Sequence, residues 1–174
     1  MRIYIIGFMY SGKSTVGKKL ANLMNLKHID TDKVFETKYN ITISSFFEKY
    51  GENLFRELEH KILLETIKED NCIISTGGGL PCFHNNIEII KENGISIYLN
   101  MSPISIIHRI NNSKKKRPLL QNKSPEELQE YIEKLLKERE ILYNQANLKI
   151  KGEDPNIKEI QAELISYIQL NNLS

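Results

Sequence analysis

The chain of 174 residues has no tryptophan, only two cysteines and five prolines, and no apolar run of membrane-spanning length. Each shortage excludes something. Two cysteines, Cys72 and Cys82, cannot build a disulfide framework, and Cys72 opens an apolar run, so both read as reduced packing thiols. A membrane helix needs about 20 consecutive apolar residues, and the first residues lack the pattern of a secretory signal, so a cytoplasmic protein is expected. His28, His60, His84 and His108 are scattered with no pair at ligand spacing, which argues against a structural zinc site. A net charge of +2 does not call for nucleic acid or a membrane surface as partner. Arginine is also scarce: of 24 basic residues, only Arg2, Arg56, Arg109, Arg117 and Arg139 are not lysine. An arginine kept in a lysine-rich chain suggests a need for the planar fork that grips carboxylate or phosphate at two points.

What is present is a phosphate-binding loop. Residues 7 to 15 read Gly7-Phe8-Met9-Tyr10-Ser11-Gly12-Lys13-Ser14-Thr15, a complete G-x-x-x-x-G-K-[ST] motif directly after the apolar run Ile3-Tyr4-Ile5-Ile6. Val16, Leu20, Ala21, Leu23 and Met24 follow at helical spacing, so the loop joins a strand end to a helix start. Unpaired N–H groups at that helix start attract an anion, and Gly12 lets the backbone approach it. Lys13 adds a point charge, and the Ser14 hydroxyl can hold magnesium. Tyr10, Ser11, Gly12, Lys13, Ser14 and Thr15 are therefore the candidate nucleotide-binding residues.

Strand-like runs at residues 2–6, 27–30, 72–75, 95–100 and 148–151 alternate with helical stretches at 13–25, 32–49, 52–69, 84–93, 103–112, 125–146 and 156–170. The 32–49 stretch reads as two short pieces. The alternation predicts an α/β protein with a parallel sheet covered on both faces, built as one domain over residues 1–174. Two segments interrupt it. Residues 32–60 insert extra helix, and residues 112–124 form a basic, proline-containing stretch around Arg117-Pro118-Leu119-Leu120. In a P-loop protein these are the expected acceptor-binding insertion and a lid over the phosphates.

The second strand ends in Asp30-Thr31-Asp32, at the sheet edge where ligands bind in such folds. Strand alternation puts Asp30 and Asp32 on one side. One carboxylate there can accept a hydrogen bond from a substrate hydroxyl and align it for attack on a phosphoryl group, and Asp30 or Thr31 can cap the next helix and leave Asp32 for that task. The third strand ends in Ser75 and runs into Thr76-Gly77-Gly78-Gly79, with no acidic residue for magnesium. Magnesium is left to Ser14, the nucleotide phosphates and water, with Asp30 as an outer partner. The glycine run lets a ligand touch backbone. Arg139 sits inside the apolar stripe Leu128, Ile132, Leu135, Leu136, Tyr143, where a charge needs a partner such as a bound anion. Arg56 lies on a helix flank within ion-pair spacing of Glu52 and Glu59 and beside the insertion, so it reads equally as surface pair or ligand clamp.

Taken in order, Gly7 to Thr15, Asp30-Thr31-Asp32, Phe55-Arg56-Glu57-Leu58-Glu59, Thr76-Gly77-Gly78-Gly79, Arg117-Pro118-Leu119-Leu120 and Arg139-Glu140-Ile141-Leu142-Tyr143 resemble the shikimate kinase family over nearly the whole chain. The resemblance implies a nucleoside-monophosphate-kinase type of fold with a five-stranded parallel sheet in order 2-3-1-4-5. It also implies ATP and Mg2+ as cofactors, transfer of the γ-phosphoryl group to the 3-hydroxyl of shikimate, and a step of aromatic amino-acid biosynthesis. By the same resemblance Asp32 orients the hydroxyl, Arg56 and Arg139 clamp the carboxylate, Gly78 contributes backbone and Arg117 belongs to the lid. Lys13 and Arg117 then stabilise charge on the transferred group. A monomer is expected.

Two departures stand out. Phe8, Met9 and Tyr10 are bulky where the family commonly has small residues, and are expected to alter contacts on the outer side of the phosphates. Arg109 lies near a family arginine that packs on adenine, and residues 151–155 match the adenine loop in type. Rival readings are a gluconate or nucleoside-monophosphate kinase, and a GTP-dependent switch. The switch lacks an N-K-x-D element, since Asn122-Lys123 continues as Ser124-Pro125.

Overall fold

The computed structural model describes residues 1–113 and 123–172. Five strands form one sheet in the order β2-β3-β1-β4-β5, every pairing parallel. They are β1 (Arg2–Ile6), β2 (Lys27–Asp30), β3 (Cys72–Ser75), β4 (Ile95–Asn100) and β5 (Leu148–Lys151), matching the apolar runs of the sequence. Side chains alternate across the sheet, so each strand feeds two cores. Ile3, Ile5, Ile73, Ile97 and Leu99 face α1 (Lys13–Met24) and α7 (Ile157–Leu170), whose Leu20, Ile160 and Leu164 close that side. Tyr4, Ile6, Ile74 and Tyr98 face the other side, packing on α4 (Asn86–Asn93), α5 (Pro103–Asn111) and α6 (Pro125–Tyr143).

The 32–60 insertion becomes α2 (Thr31–Tyr39) and α3 (Ile43–Thr66). Gly51 interrupts α3 with φ 81 and ψ 172, at the break expected between residues 49 and 52. A separate aromatic cluster of Phe35, Phe46 and Phe55 with Ile62 holds this pair together, Phe35 meeting Phe55 at 4.8 Å between ring centres. Three helix ends differ from the periodicity by more than one residue. The α4 helix starts at Asn86 because His84 and Asn85 are left-handed, with a 3-10 turn at Leu80–Cys82 before them. The α3 and α6 helices stop at Thr66 and Tyr143, three residues early, and are followed by the turn residues Ile67 and Asn144 at their C-caps. Ser124 caps α6 through a full capping box with Glu127, and Pro125 sits in its first turn.

Candidate active site

The site is assembled at the carboxyl ends of β1, β2 and β3. After β1 the chain turns through Gly7 at φ 141, where a Cβ would meet the Leu99 carbonyl at 2.7 Å, and reaches Gly12 at φ 97. Gly12 opens α1 in a left-handed conformation that favours glycine. Lys13 is buried and its ammonium donates to the Phe8 carbonyl at 2.7 Å, across the loop. The Ser75 hydroxyl at the end of β3 donates to the Lys13 carbonyl at 3.1 Å, tying the helix start to the sheet. Ser11 Oγ is buried and has no hydrogen-bond partner among the described residues, an orphan that suits a phosphate-binding loop. Ser14 and Thr15 are exposed at the first turn of α1. Among the described residues no cluster of three His, Cys, Asp or Glu side chains could hold a metal. The Ser14 hydroxyl is an oxygen donor of the kind magnesium takes beside nucleotide oxygens and water.

Phe8 and Met9 turn inward, which corrects their expected place on the outer side of the phosphates. Both are buried in the apolar core, Phe8 under the Arg139 guanidinium at 5.6 Å and Met9 in the wall of the acceptor cavity. Tyr10 takes φ 62, a left-handed conformation costly for a side chain with a Cβ.

After β2, Asp30 caps α2 by accepting from the Lys33 N–H at 3.2 Å, and Thr31 Oγ1 accepts from the Gly77 N–H at 2.9 Å. Asp32 therefore stands in the first helical turn, so helix geometry and not strand alternation aims it. It lines a cavity together with Met9, Arg56, Glu59, Gly78 and Arg139.

The glycine run is required by close approach. A Cβ on Gly77 would meet Glu59 Oε1 at 2.5 Å and Asp32 Oδ1 at 2.7 Å, so the two carboxyl groups come together over it. A Cβ on Gly79 would meet both terminal nitrogens of Arg56, at 2.6 and 2.7 Å. The Tyr143 hydroxyl donates to the Gly78 carbonyl and is itself hydrogen-bonded to Arg139.

Arg56 unites its two sequence readings. It is ion-paired, donating to Glu52 Oε1 from Nε at 3.0 Å and Nη2 at 2.7 Å and to Glu59 Oε2 from Nη1 at 2.7 Å, yet it is buried and lines the cavity. Its guanidinium lies 4.3 Å from the centre of the Phe83 ring. Burial pushes the Glu59 carboxyl up to about 7, against the pull of Arg56 and with Asp32 adding like charge. Arg139 is buried at 7% exposure, and among the described residues no carboxylate lies within ion-pair distance of it. A buried cation beside a cavity without a carboxylate partner is prepared for an anion. The sequence reading did not single out Glu59, because a glutamate three residues after an arginine on a helix has the pattern of a surface pair.

Arg117 lies outside the described residues, as does most of the 112–124 segment. Arg109 is not among the residues that line the acceptor cavity. Its Nη1 donates to the Tyr10 carbonyl at 3.2 Å and the Ser11 carbonyl at 2.8 Å, and its Nη2 to the Gly152 carbonyl at 3.2 Å.

A phosphate loop and a buried acceptor cavity on a 2-3-1-4-5 parallel sheet define a P-loop small-molecule kinase. The shikimate kinase family model matches residues 9–169. A shikimate kinase of Thermoanaerobacter pseudethanolicus is 43% identical over 169 residues, covering 97% of this chain and 96% of the relative. The crystal structure of shikimate kinase from Bacteroides thetaiotaomicron superposes with a TM-score of 0.87 at 34% identity, covering 99% of each chain. That of shikimate kinase from Acinetobacter baumannii in complex with shikimate gives 0.87 at 33% identity, covering 99% of this chain and 95% of the other. The chain belongs to the shikimate kinase family.

Proposed function

We propose that the residues gathered at this sheet edge carry out the reaction of the family, with each side chain in a definite role. The protein is an ATP-dependent shikimate kinase, using ATP with Mg2+. Asp32 accepts a hydrogen bond from the 3-hydroxyl of shikimate and aligns its oxygen with the γ-phosphorus. Arg56 and Arg139 hold the shikimate carboxylate, and the Gly78 backbone bounds the ring. The convergence of Asp32, Arg56 and Arg139 from three separate helices on one cavity, with Met9 of the phosphate loop in its wall, carries this assignment. It puts the acceptor next to the donor, which phosphoryl transfer needs most.

Lys13 and the α1 amide groups stabilise the charge of the β- and γ-phosphates, and Arg117 adds a cation from the segment after α5. Magnesium, held by Ser14 and the phosphates, neutralises charge on the transferred group. Residues 1–174 act as one kinase unit, with 32–60 as acceptor-binding insertion and 112–124 as lid. The protein works as a cytoplasmic monomer. Among the described residues no helix is long and apolar enough to cross a membrane.

The test is a coupled ADP-release assay with shikimate, gluconate and nucleoside monophosphates as acceptors. Turnover is expected with shikimate alone. Equal turnover with gluconate would overturn the acceptor assignment and leave the kinase class intact.

A further inference from the structure

The three glycines after β3 carry no side chains that could fix their peptides, so the run takes its shape from what grips its backbone. Its polar groups can be accounted for one by one. The Gly77 N–H donates to Thr31 Oγ1 at 2.9 Å, the Gly77 carbonyl accepts from the Leu80 N–H at 3.2 Å, and the Gly79 carbonyl accepts from the Cys82 N–H at 2.8 Å. The Gly78 carbonyl accepts from the Tyr143 hydroxyl. Two groups are left over. Among the described residues the N–H groups of Gly78 and Gly79 have no acceptor, and both glycines line the acceptor cavity.

The direction of the second of these amides follows from peptide geometry. In a trans peptide the C=O and the following N–H point in opposite directions. Tyr143 is fully buried and outside the cavity lining, and it draws the Gly78 carbonyl toward the core. The Gly79 N–H is thereby turned the other way, toward the cavity. Gly78 also rests on the phosphate loop, where a Cβ would meet the Met9 nitrogen at 2.8 Å, so its peptide has little room to swing. Tyr143 is itself well held. It closes α6 one turn after Arg139, on the same helix face, and its hydroxyl is hydrogen-bonded to that arginine. Its ring packs against Tyr98 at 5.2 Å between centres. Burial pushes the Tyr143 phenol above its ordinary range, so the proton it donates stays in place.

We propose that Tyr143 is a positioning residue for the acceptor substrate. Its hydroxyl fixes the Gly78–Gly79 peptide so that the Gly79 N–H donates to an oxygen of the bound acceptor, beside the Arg139 guanidinium delivered by the same helix face. The proposal rests on the reading of this cavity as the acceptor site.

The experiment compares wild type with Tyr143→Phe, alone and in an Arg139→Lys background, with shikimate as the probe. Calorimetry gives the shikimate affinity, steady-state kinetics gives kcat and the two KM values, and nitrogen-15 NMR with hydrogen exchange follows the Gly79 amide. In wild type, shikimate is expected to shift the Gly79 amide and to slow its exchange. In Tyr143→Phe, shikimate affinity should fall about 5- to 20-fold and its KM rise by a similar factor, with a smaller change in kcat and the KM for ATP held within about twofold. The shikimate-induced shift of Gly79 should shrink. In the Arg139→Lys background the substitution should weaken shikimate binding further. No further loss there would mean that Tyr143 acts through Arg139 alone, and would overturn its role at the peptide. Loss of thermal stability with unchanged shikimate affinity and KM would also overturn it. A Gly79 amide that ignores shikimate in wild type would overturn the proposal even if Tyr143→Phe does not fold. If wild type itself phosphorylated no shikimate, the acceptor-site reading would fall first.

Discussion

At the scale of single residues, the arginines separate by what they touch. Arg56 is satisfied by Glu52 and Glu59 before any ligand arrives, while Arg139, with Phe8 and the Tyr143 hydroxyl beside it, has no carboxylate within ion-pair distance among the described residues. In the proposed clamp, Arg139 is thus the member whose interaction energy is left for the substrate. Replacing it by lysine keeps the charge and removes the fork, and should raise the KM for shikimate about 10- to 100-fold, as expected for losing a charged hydrogen bond of roughly 1.5–3 kcal/mol, with a smaller change in kcat. An unchanged KM would remove Arg139 from the clamp. Glu59 makes a pH prediction. Burial raises its carboxyl to about 7 from the ordinary 4.5, so the native state favours its protonated form. Its stabilising contribution is complete below pH 4.5 and is lost as pH rises through about 7. Urea midpoints of Glu59→Gln should accordingly decline less than those of wild type across that interval, and parallel curves would show that Glu59 is ionised throughout. Arg139 was legible in the sequence because a charge in an apolar stripe is anomalous. Glu59 was not, since only packing distinguishes a buried helix pair from a solvated one.

At the scale of elements, all five strands were legible, because parallel strands buried on both faces are written as continuous apolar runs. The ends of α3, α4 and α6 were not, since left-handed residues such as His84 and Asn85 leave little trace in periodicity. The inward turn of Phe8 and Met9 was hidden for another reason. Loop direction depends on what packs beneath it, here Arg139 and the core against α6. The seat of α1 on the sheet is likewise a matter of contact. A Cβ on Gly17 would overlap the Ser75 hydroxyl and come within 2.9 Å of His28 Nε2, two groups that are bonded to each other at 3.0 Å. The same Ser75 hydroxyl holds the Lys13 carbonyl. Gly17→Ala should therefore cost about 1–3 kcal/mol by overpacking and, by displacing Ser75, should lower kcat as well. Equilibrium unfolding and kinetics on one preparation check both; a stability loss with native kcat would show that Ser75 does not help to place Lys13.

At the scale of the whole molecule, the acceptor cavity ties together parts of the chain that are distant in sequence. Asp32 comes from α2, Arg56 and Glu59 from α3, the glycines from the turn after β3, and Arg139 from α6. A ligand that bridges them binds the folded state and has no comparable site in the unfolded one, so it must stabilise folding by mass action. At shikimate a hundred times its dissociation constant the gain is about 2.7 kcal/mol, which for a chain of this size raises Tm by roughly 5–10 °C. The same solution of shikimate with Arg139→Ala, whose affinity should be at least about tenfold weaker, would yield half that gain or less, near 1.4 kcal/mol. ATP with magnesium should still shift the variant fully, because its site is built from residues 7–15 and α1 rather than from α6. Scanning calorimetry with each ligand alone resolves the two sites: a full shikimate shift in Arg139→Ala would detach α6 from the acceptor site, and a lost ATP shift would mean that Arg139 supports the phosphate loop through Phe8 instead.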